Sequence, residues 1–147
     1  RNWKVFGRKK TQAPEKTSPT VPNKPVAYPK WTFAKVGDTY WLVLDKTRMQ
    51  LISERAFWSW GKPCVETSEK ALTNYKPWKK VGFAPGSMLR SMDGQYWFIT
   101  GSQPLDPERR LIATPDFFSL GFRYENAIIV SNNELEFVRE GDPISGI

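Results

Sequence analysis

Arg109-Arg110-Leu111-Ile112-Ala113-Thr114-Pro115-Asp116-Phe117-Phe118-Ser119-Leu120-Gly121, continued by Ala127-Ile128-Ile129-Val130-Ser131-Asn132-Asn133-Glu134-Leu135 and closed by Glu140-Gly141-Asp142-Pro143-Ile144, is the most patterned stretch of the chain. Leu111-Ile112 reads as the end of a strand. Thr114-Pro115-Asp116 is a well-formed helix start, with a hydroxyl to cap, Pro at the first helical position and an acid at the positive end of the dipole. Phe117, Phe118 and Leu120 supply the buried side, and Gly121 ends the helix. Residues 127–130 form an apolar β-branched run that predicts a strand. Ser131 and Glu134 have the spacing of a capping box ahead of Leu135.

A paler copy lies about sixty residues upstream. Gly37-Asp38 reads as a turn, Thr39-Tyr40-Trp41-Leu42-Val43-Leu44 as a strand, and Met49-Gln50-Leu51-Ile52 as its returning partner. Ser53 caps a short helix through Trp60, with Gly61 at its end. Residues 64–67 predict a strand, and Ser68 opens a second capped helix through Tyr75. Downstream, Asp93-Gly94 repeats the turn and Gln95-Tyr96-Trp97-Phe98-Ile99-Thr100 repeats the Tyr-Trp strand. Tyr40-Trp41 matches Tyr96-Trp97 at an offset of 56, Leu51-Ile52 matches Leu111-Ile112 at 60, and Ser68 with Leu72 matches Ser131 with Leu135 at 63. The offset grows only where loops fall, which makes the chain a tandem duplication. The expected fold is α+β: two tandem β-hairpin-plus-helix repeats, residues 36–82 and 93–147, joined by a linker at 83–92 and preceded by an extended Pro-rich arm at 1–35.

The arm carries the charge. The chain has a net charge of +7, and residues 1–35 hold nine Lys or Arg against Glu15 alone, so the remainder is close to neutral. Pro14, Pro19, Pro22, Pro25 and Pro29 fix φ and remove donors, and the few apolar residues between them cannot repay the entropy of ordering, so the arm reads as polyproline-like chain. It is expected to lie along a neighbouring surface through Arg8, Lys9, Lys10, Lys16 and the anchors Trp3, Phe6 and Tyr28. Trp58 and Trp60, two apart on a short helix, point to opposite sides, so one of them is expected at the surface as a protein or glycan contact. A basic arm also suits phosphates, but the globular part has no basic surplus to extend such a footprint, which argues against nucleic acid.

No histidine and one cysteine, Cys64, remove Cys/His zinc sites, Ser-His-Asp and Cys-His triads and internal disulfides. The carboxylates that might pair, Asp116 with Glu125 or Glu134 with Glu136, sit at helix starts or on exposed faces, where dipole and solvation roles explain them. No cofactor, metal or catalytic residue is expected. No run approaches the ~20 apolar residues of a membrane span, and the start at Arg1 instead of Met leaves room for an upstream segment.

The second copy resembles a short module that recurs, often in tandem, in bacterial secreted and cell-surface proteins and in phage proteins. Arg109, Ile112, Pro115, Asp116, Phe118, Leu120, Gly121, Phe122, Val130, Ser131, Glu134, Leu135, Gly141, Pro143 and Ile144 carry the resemblance. It covers roughly residues 93–145 well and 37–76 weakly, with Ala113 in place of the module's first Pro and Glu54-Arg55 in place of Thr-Pro. The resemblance implies a displayed accessory unit and no catalytic residues. The resulting expectation is a non-enzymatic structural or interaction protein of a larger assembly, a phage virion decoration or tail-associated protein anchored to other subunits by its arm, located in the virion or at the cell surface. The alternative expectations are a cell-wall or glycan-binding module and a nucleic-acid-binding accessory protein.

Overall fold

In the computed structural model, which describes residues 21–113, 121 and 123–144, the Tyr-Trp strands sit at the centre of two five-stranded sheets. In the first, β1 (Thr32–Val36), β2 (Thr39–Val43) and β3 (Thr47–Gln50) form an antiparallel meander, flanked by β4 (Val65–Glu66) parallel to β1 and β5 (Lys76–Pro77) parallel to β3. In the second, β6 (Met88–Arg90), β7 (Tyr96–Thr100) and β8 (Glu108–Ile112) meander, with β9 (Ala127–Ile129) parallel to β6 and β10 (Arg139–Glu140) parallel to β8. The order is therefore β4-β1-β2-β3-β5 in one and β9-β6-β7-β8-β10 in the other, with each pairing in the same direction. Among the described residues two short α-helices complete the fold, α1 (Glu54–Ser59) and α2 (Asn132–Phe137), so the class is mixed α+β and mostly sheet.

Both helices start where the sequence places a cap. Ser53 Oγ accepts from the Ala56 N–H, and Ser131 with Glu134 forms the complete capping box. Ser68 Oγ likewise accepts from the Ala71 N–H, yet residues 68–75 turn without forming the expected α-helix. Their carbonyls are taken at three-residue spacing, as from Tyr75 N–H to the Leu72 carbonyl. Lys76 then joins the sheet edge as the first residue of β5.

The sheets correspond position for position. Ala34 pairs with Trp41 and Leu89 with Trp97; Trp41 pairs with Gln50 and Trp97 with Leu111. The ladder thus sets Gln50 against Leu111 and Leu51 against Ile112, one residue away from the alignment that sequence identity suggests. A one-residue slip reverses every side chain across a sheet, and the observed register is the one that buries Leu51 in the main core and Ile112 against Met88, each 3% exposed. Each also closes a parallel bridge to a later residue, Val81 and Ile144 respectively. Cation–π pairs recur in the same places. Lys35 lies over Tyr40 as Arg90 lies over Tyr96, and Arg48 sits 4.2 Å from the Trp41 ring as Arg109 sits 4.4 Å from that of Trp97.

Because side chains alternate along a strand, each sheet has two faces, and both are buried. On the first sheet Phe33, Tyr40, Leu42, Met49 and Leu51 point toward α1, where Phe57 stacks on Tyr40 at 4.4 Å. On the second sheet the equivalent positions, Met88, Tyr96, Phe98 and Ile112, lie in a separate outer cluster with Ala127 and Ile144. The main core instead takes the opposite face of that sheet, through Leu89, Trp97 and Ile99, with Leu135 and Val138. The α1 side of one sheet therefore stacks on the α2 side of the other, an unlike-to-unlike packing. Both residues of each Tyr-Trp pair are packed: Tyr40 and Trp97 reach the main core, while Trp41 joins the cluster of Ala34, Val43, Leu72 and Tyr75 and Tyr96 the outer one.

Residues 83–92, expected as a linker, are integral to the fold. Phe83 is fully buried and residues 88–90 are β6, an apolar pair followed by Arg90 that forms no strand pattern without its neighbours. The end of the expected arm, residues 32–35, belongs to β1. Residues 22–28 cross the first sheet, with Val26 N–H on the Ala71 carbonyl, Ser68 Oγ on the Pro22 carbonyl and the Tyr28 hydroxyl on Thr67. The expected helix at 114–121 falls on residues that, apart from Gly121, are outside the described set.

Candidate interaction surface

The charged side chains with the strongest geometry hold the fold. Glu134, whose side chain is 8% exposed, receives Ser53 Oγ at 2.5 Å, Arg55 Nη2 at 2.9 Å and the Ser131 N–H at 2.8 Å. Burial pushes its carboxyl up; Arg55, the Ser131 N–H, Ser53 and the Ser131 hydroxyl outweigh that and bring it down to about 2. Arg48, nearly buried, forks both terminal nitrogens onto Glu69 at 2.9 Å, and this donation lowers the Glu69 pKa. Asp93 is lowered by the Ser91 hydroxyl and the Gln95 N–H, which close the β6–β7 turn. Burial and the acceptor Glu54 raise the Tyr40 phenol. Each arrangement ties elements together, so these carboxylates are committed to local partners.

What is left over is aromatic. Trp58 is 59% exposed on α1, while Trp60 turns inward, 5.9 Å from Phe33 and donating its indole N–H to the Gly82 carbonyl at 3.0 Å. The two-residue spacing separates them as the sequence indicated. Trp58 stands at the rim of a groove of about 400 Å³ floored by Met88, Phe98 and Ile128 and edged by Ser87, Arg123 and Asn126. A second groove, of about 220 Å³, is lined by Gly82, Leu105, Phe137, Lys79, Lys80 and Arg139. Trp78 lies beside it in sequence, 55% exposed, with Lys79 Nζ 5.0 Å from its ring.

Of the residues expected at a contact, Trp3, Phe6, Arg8, Lys9, Lys10 and Lys16 lie outside the described residues. Tyr28 docks on its own domain: its N–H donates to the Tyr75 hydroxyl at 2.8 Å and its ring joins the cluster under residues 67–75. Trp60 is a packing residue and Trp58 alone of the pair is free at the surface. Trp78, Arg123, Asn126 and Phe137 join the surface through the fold. Trp78 follows Pro77 with no periodic pattern to show its face, and the other three reach the grooves only through tertiary packing.

Among the described residues no three His, Cys, Asp or Glu side chains gather as metal ligands, and no helix is long and apolar enough to cross a membrane. No family model, curated protein or solved structure matches the chain.

Proposed function

We propose that the chain is a non-enzymatic interaction protein built from two tandem copies of one small unit and anchored in a larger assembly by its basic amino-terminal arm, most concretely as a phage virion decoration or tail-associated protein. Support for the duplication is the shared strand order together with the two repeated cation–π pairs. Support for anchoring is the seat of residues 22–28, which fasten the root of the arm to the first sheet. Upstream of that root, residues 1–20 carry Arg1, Lys4, Arg8, Lys9, Lys10 and Lys16 against Glu15. A rooted, cationic, proline-rich tail places its charges and aromatics on a neighbour while the folded part stays fixed.

Removing residues 1–20 tests this reading without disturbing the root. The truncated chain is expected to keep its melting temperature and to remain at the top of a density gradient in which the full chain migrates with particles. Migration of the truncated chain with the particles would sink the proposal.

A second reading, a glycan contact on the cell wall, is favoured by one observation. Trp58 offers an exposed flat face beside the polar edge of Ser87, Arg123 and Asn126, the pairing of platform and hydrogen-bonding groups that a sugar ring requires. Sedimentation with insoluble cell wall that survives Trp58→Ala would exclude it.

A further inference from the structure

Outside the arm the charges nearly balance, but they are not evenly placed. From Lys70 to Arg90 the chain carries Lys70, Lys76, Lys79, Lys80 and Arg90 and no Asp or Glu. Lys76, Pro77, Trp78, Lys79 and Lys80 are all exposed, and among the described residues the three lysines enter no ion pair. The groove of about 220 Å³ lies where this run ends. Lys79, Lys80 and Gly82 line it from the first half of the chain, and Leu105, Phe137 and Arg139 from the second. Trp78, next to Lys79, is 55% exposed and Phe137 is 44% exposed. Large rings left in water beside cations are what the centres of protein interfaces are built from.

The groove is preformed. Trp60 fixes Gly82 by donating its indole N–H to the Gly82 carbonyl at 3.0 Å. A Cβ at Gly82 would lie 3.1 Å from the Phe137 ring, so glycine is what lets that ring approach the backbone. Arg139 is held by Glu108 at 3.0 Å and by Asp106 at 3.6 Å. Its charge is therefore matched within the chain, and that of Lys79 and Lys80 is not. An occupant of such a site meets little ordering cost from the protein.

Charge selects the occupant. The arm is excluded by sign, since residues 1–20 carry Arg1, Lys4, Arg8, Lys9, Lys10 and Lys16 against Glu15. A nucleic-acid backbone needs cations along its whole track, whereas Asp106 lines this same groove and Arg139 is already paired. We propose that the groove receives an acidic segment of a partner protein, its carboxylates against Lys79 and Lys80 and one apolar side chain against Leu105 and Phe137. Complementary charge sets the direction and speed of docking, and the apolar anchor supplies the hold. This reading is independent of what the arm binds.

The test is fluorescence anisotropy of a labelled synthetic peptide, one leucine flanked by glutamates, titrated with the full chain. Saturable binding is expected, weakened about tenfold by Lys79→Glu with Lys80→Glu and retained by Lys79→Arg with Lys80→Arg. Replacing the leucine of the peptide by glycine is expected to weaken it about fivefold. The arm is present in every variant, so its own attraction for the peptide is constant, and circular dichroism confirms that the exposed substitutions leave the fold intact. The proposal is overturned by absence of binding, by binding unchanged in the glutamate variant, or by equal binding of a lysine-flanked peptide. Tighter binding of a single-stranded oligodeoxynucleotide that the glutamate variant loses would assign the groove to nucleic acid and overturn it too. So would self-association of the parent, by sedimentation velocity, that the glutamate variant abolishes, which would give the groove to a second copy. None of these results touches the arm deletion, which reads attachment to particles.

Discussion

Arg55 on α1 holds Glu134 on α2 through both carboxylate oxygens, at 2.9 and 3.2 Å, joining residues 79 apart in sequence and the two sheets to one another. Glu134 is at once the capping-box acid of its own helix and the acceptor for the helix of the other half. Its folded pKa, about 2, lies below the ordinary 4.5. A lowered carboxyl contributes stability in full above the unfolded value and loses it as pH falls through the folded one.

Glu134→Gln is accordingly expected to lower unfolding free energy by up to about 3 kcal/mol at pH 7, from a shift of roughly 2.5 pKa units. Urea titrations from pH 7 to 2 check the sign. The deficit relative to the parent should be constant down to about pH 5 and shrink between pH 4.5 and 2. A deficit unchanged at pH 2 would show that the carboxylate charge is not what matters.

Trp41 and Trp97 occupy equivalent places with unequal satisfaction. Trp97 Nε1 donates to Ser91 Oγ at 3.3 Å, whereas Trp41 Nε1 is buried without an acceptor, as is Arg48 Nε beside it. An orphaned buried donor costs about 1–3 kcal/mol, and Trp→Phe removes the donor along with similar volume at each site. Trp41→Phe is expected to destabilise less than Trp97→Phe by about 1 kcal/mol. Equal losses in chemical denaturation would contradict this.

Trp31 and Gly86 are the matched pair at positive φ, and a side chain there costs about 1–2 kcal/mol. Among the described residues no atom lies within 4 Å of the place a Cβ would take at Gly86, so Gly86→Ala should cost about 1 kcal/mol from the backbone alone. Trp31→Gly loses the ring 6.3 Å from Trp60 but relieves the left-handed φ, and is expected to change the melting temperature by less than Gly86→Ala does. A larger loss at Trp31 would mean that the ring contact outweighs the strain.

Trp58 and Trp60 divide surface from core. Trp58→Ala should leave stability within about 0.5 kcal/mol of the parent, as surface changes do, while Trp60→Ala should cost about 3 kcal/mol or more. Thermal melts decide it, and a destabilising Trp58→Ala would indicate that its ring supports the groove rather than lining it.

Local signals were legible because they act within a few residues. The caps at Ser53, Ser68 and Ser131 lie where hydroxyl spacing put them, and Trp58 emerged at the surface as its distance from Trp60 required. Identity aligns Leu51-Ile52 with Leu111-Ile112, whereas the β2–β3 and β7–β8 ladders set Leu51 against Ile112, following the depth at which each is buried. β6 reads as a linker in the sequence because Met88-Leu89-Arg90 is too short to show alternation. β5 and β10, two residues each, carry no signal of their own and exist as edges only because a neighbour offers hydrogen bonds.

By itself the sequence determined the hairpins, their turns and their caps, and the concentration of charge at the amino terminus. Only the tertiary structure decided which face of each sheet meets the other. Tyr40-Trp41 and Tyr96-Trp97 put a large aromatic on both faces, so alternation favours neither. The choice falls to contacts made at long range, Glu134 with Ser53 and Arg55 on one side and Tyr28 with Thr67 and Tyr75 on the other.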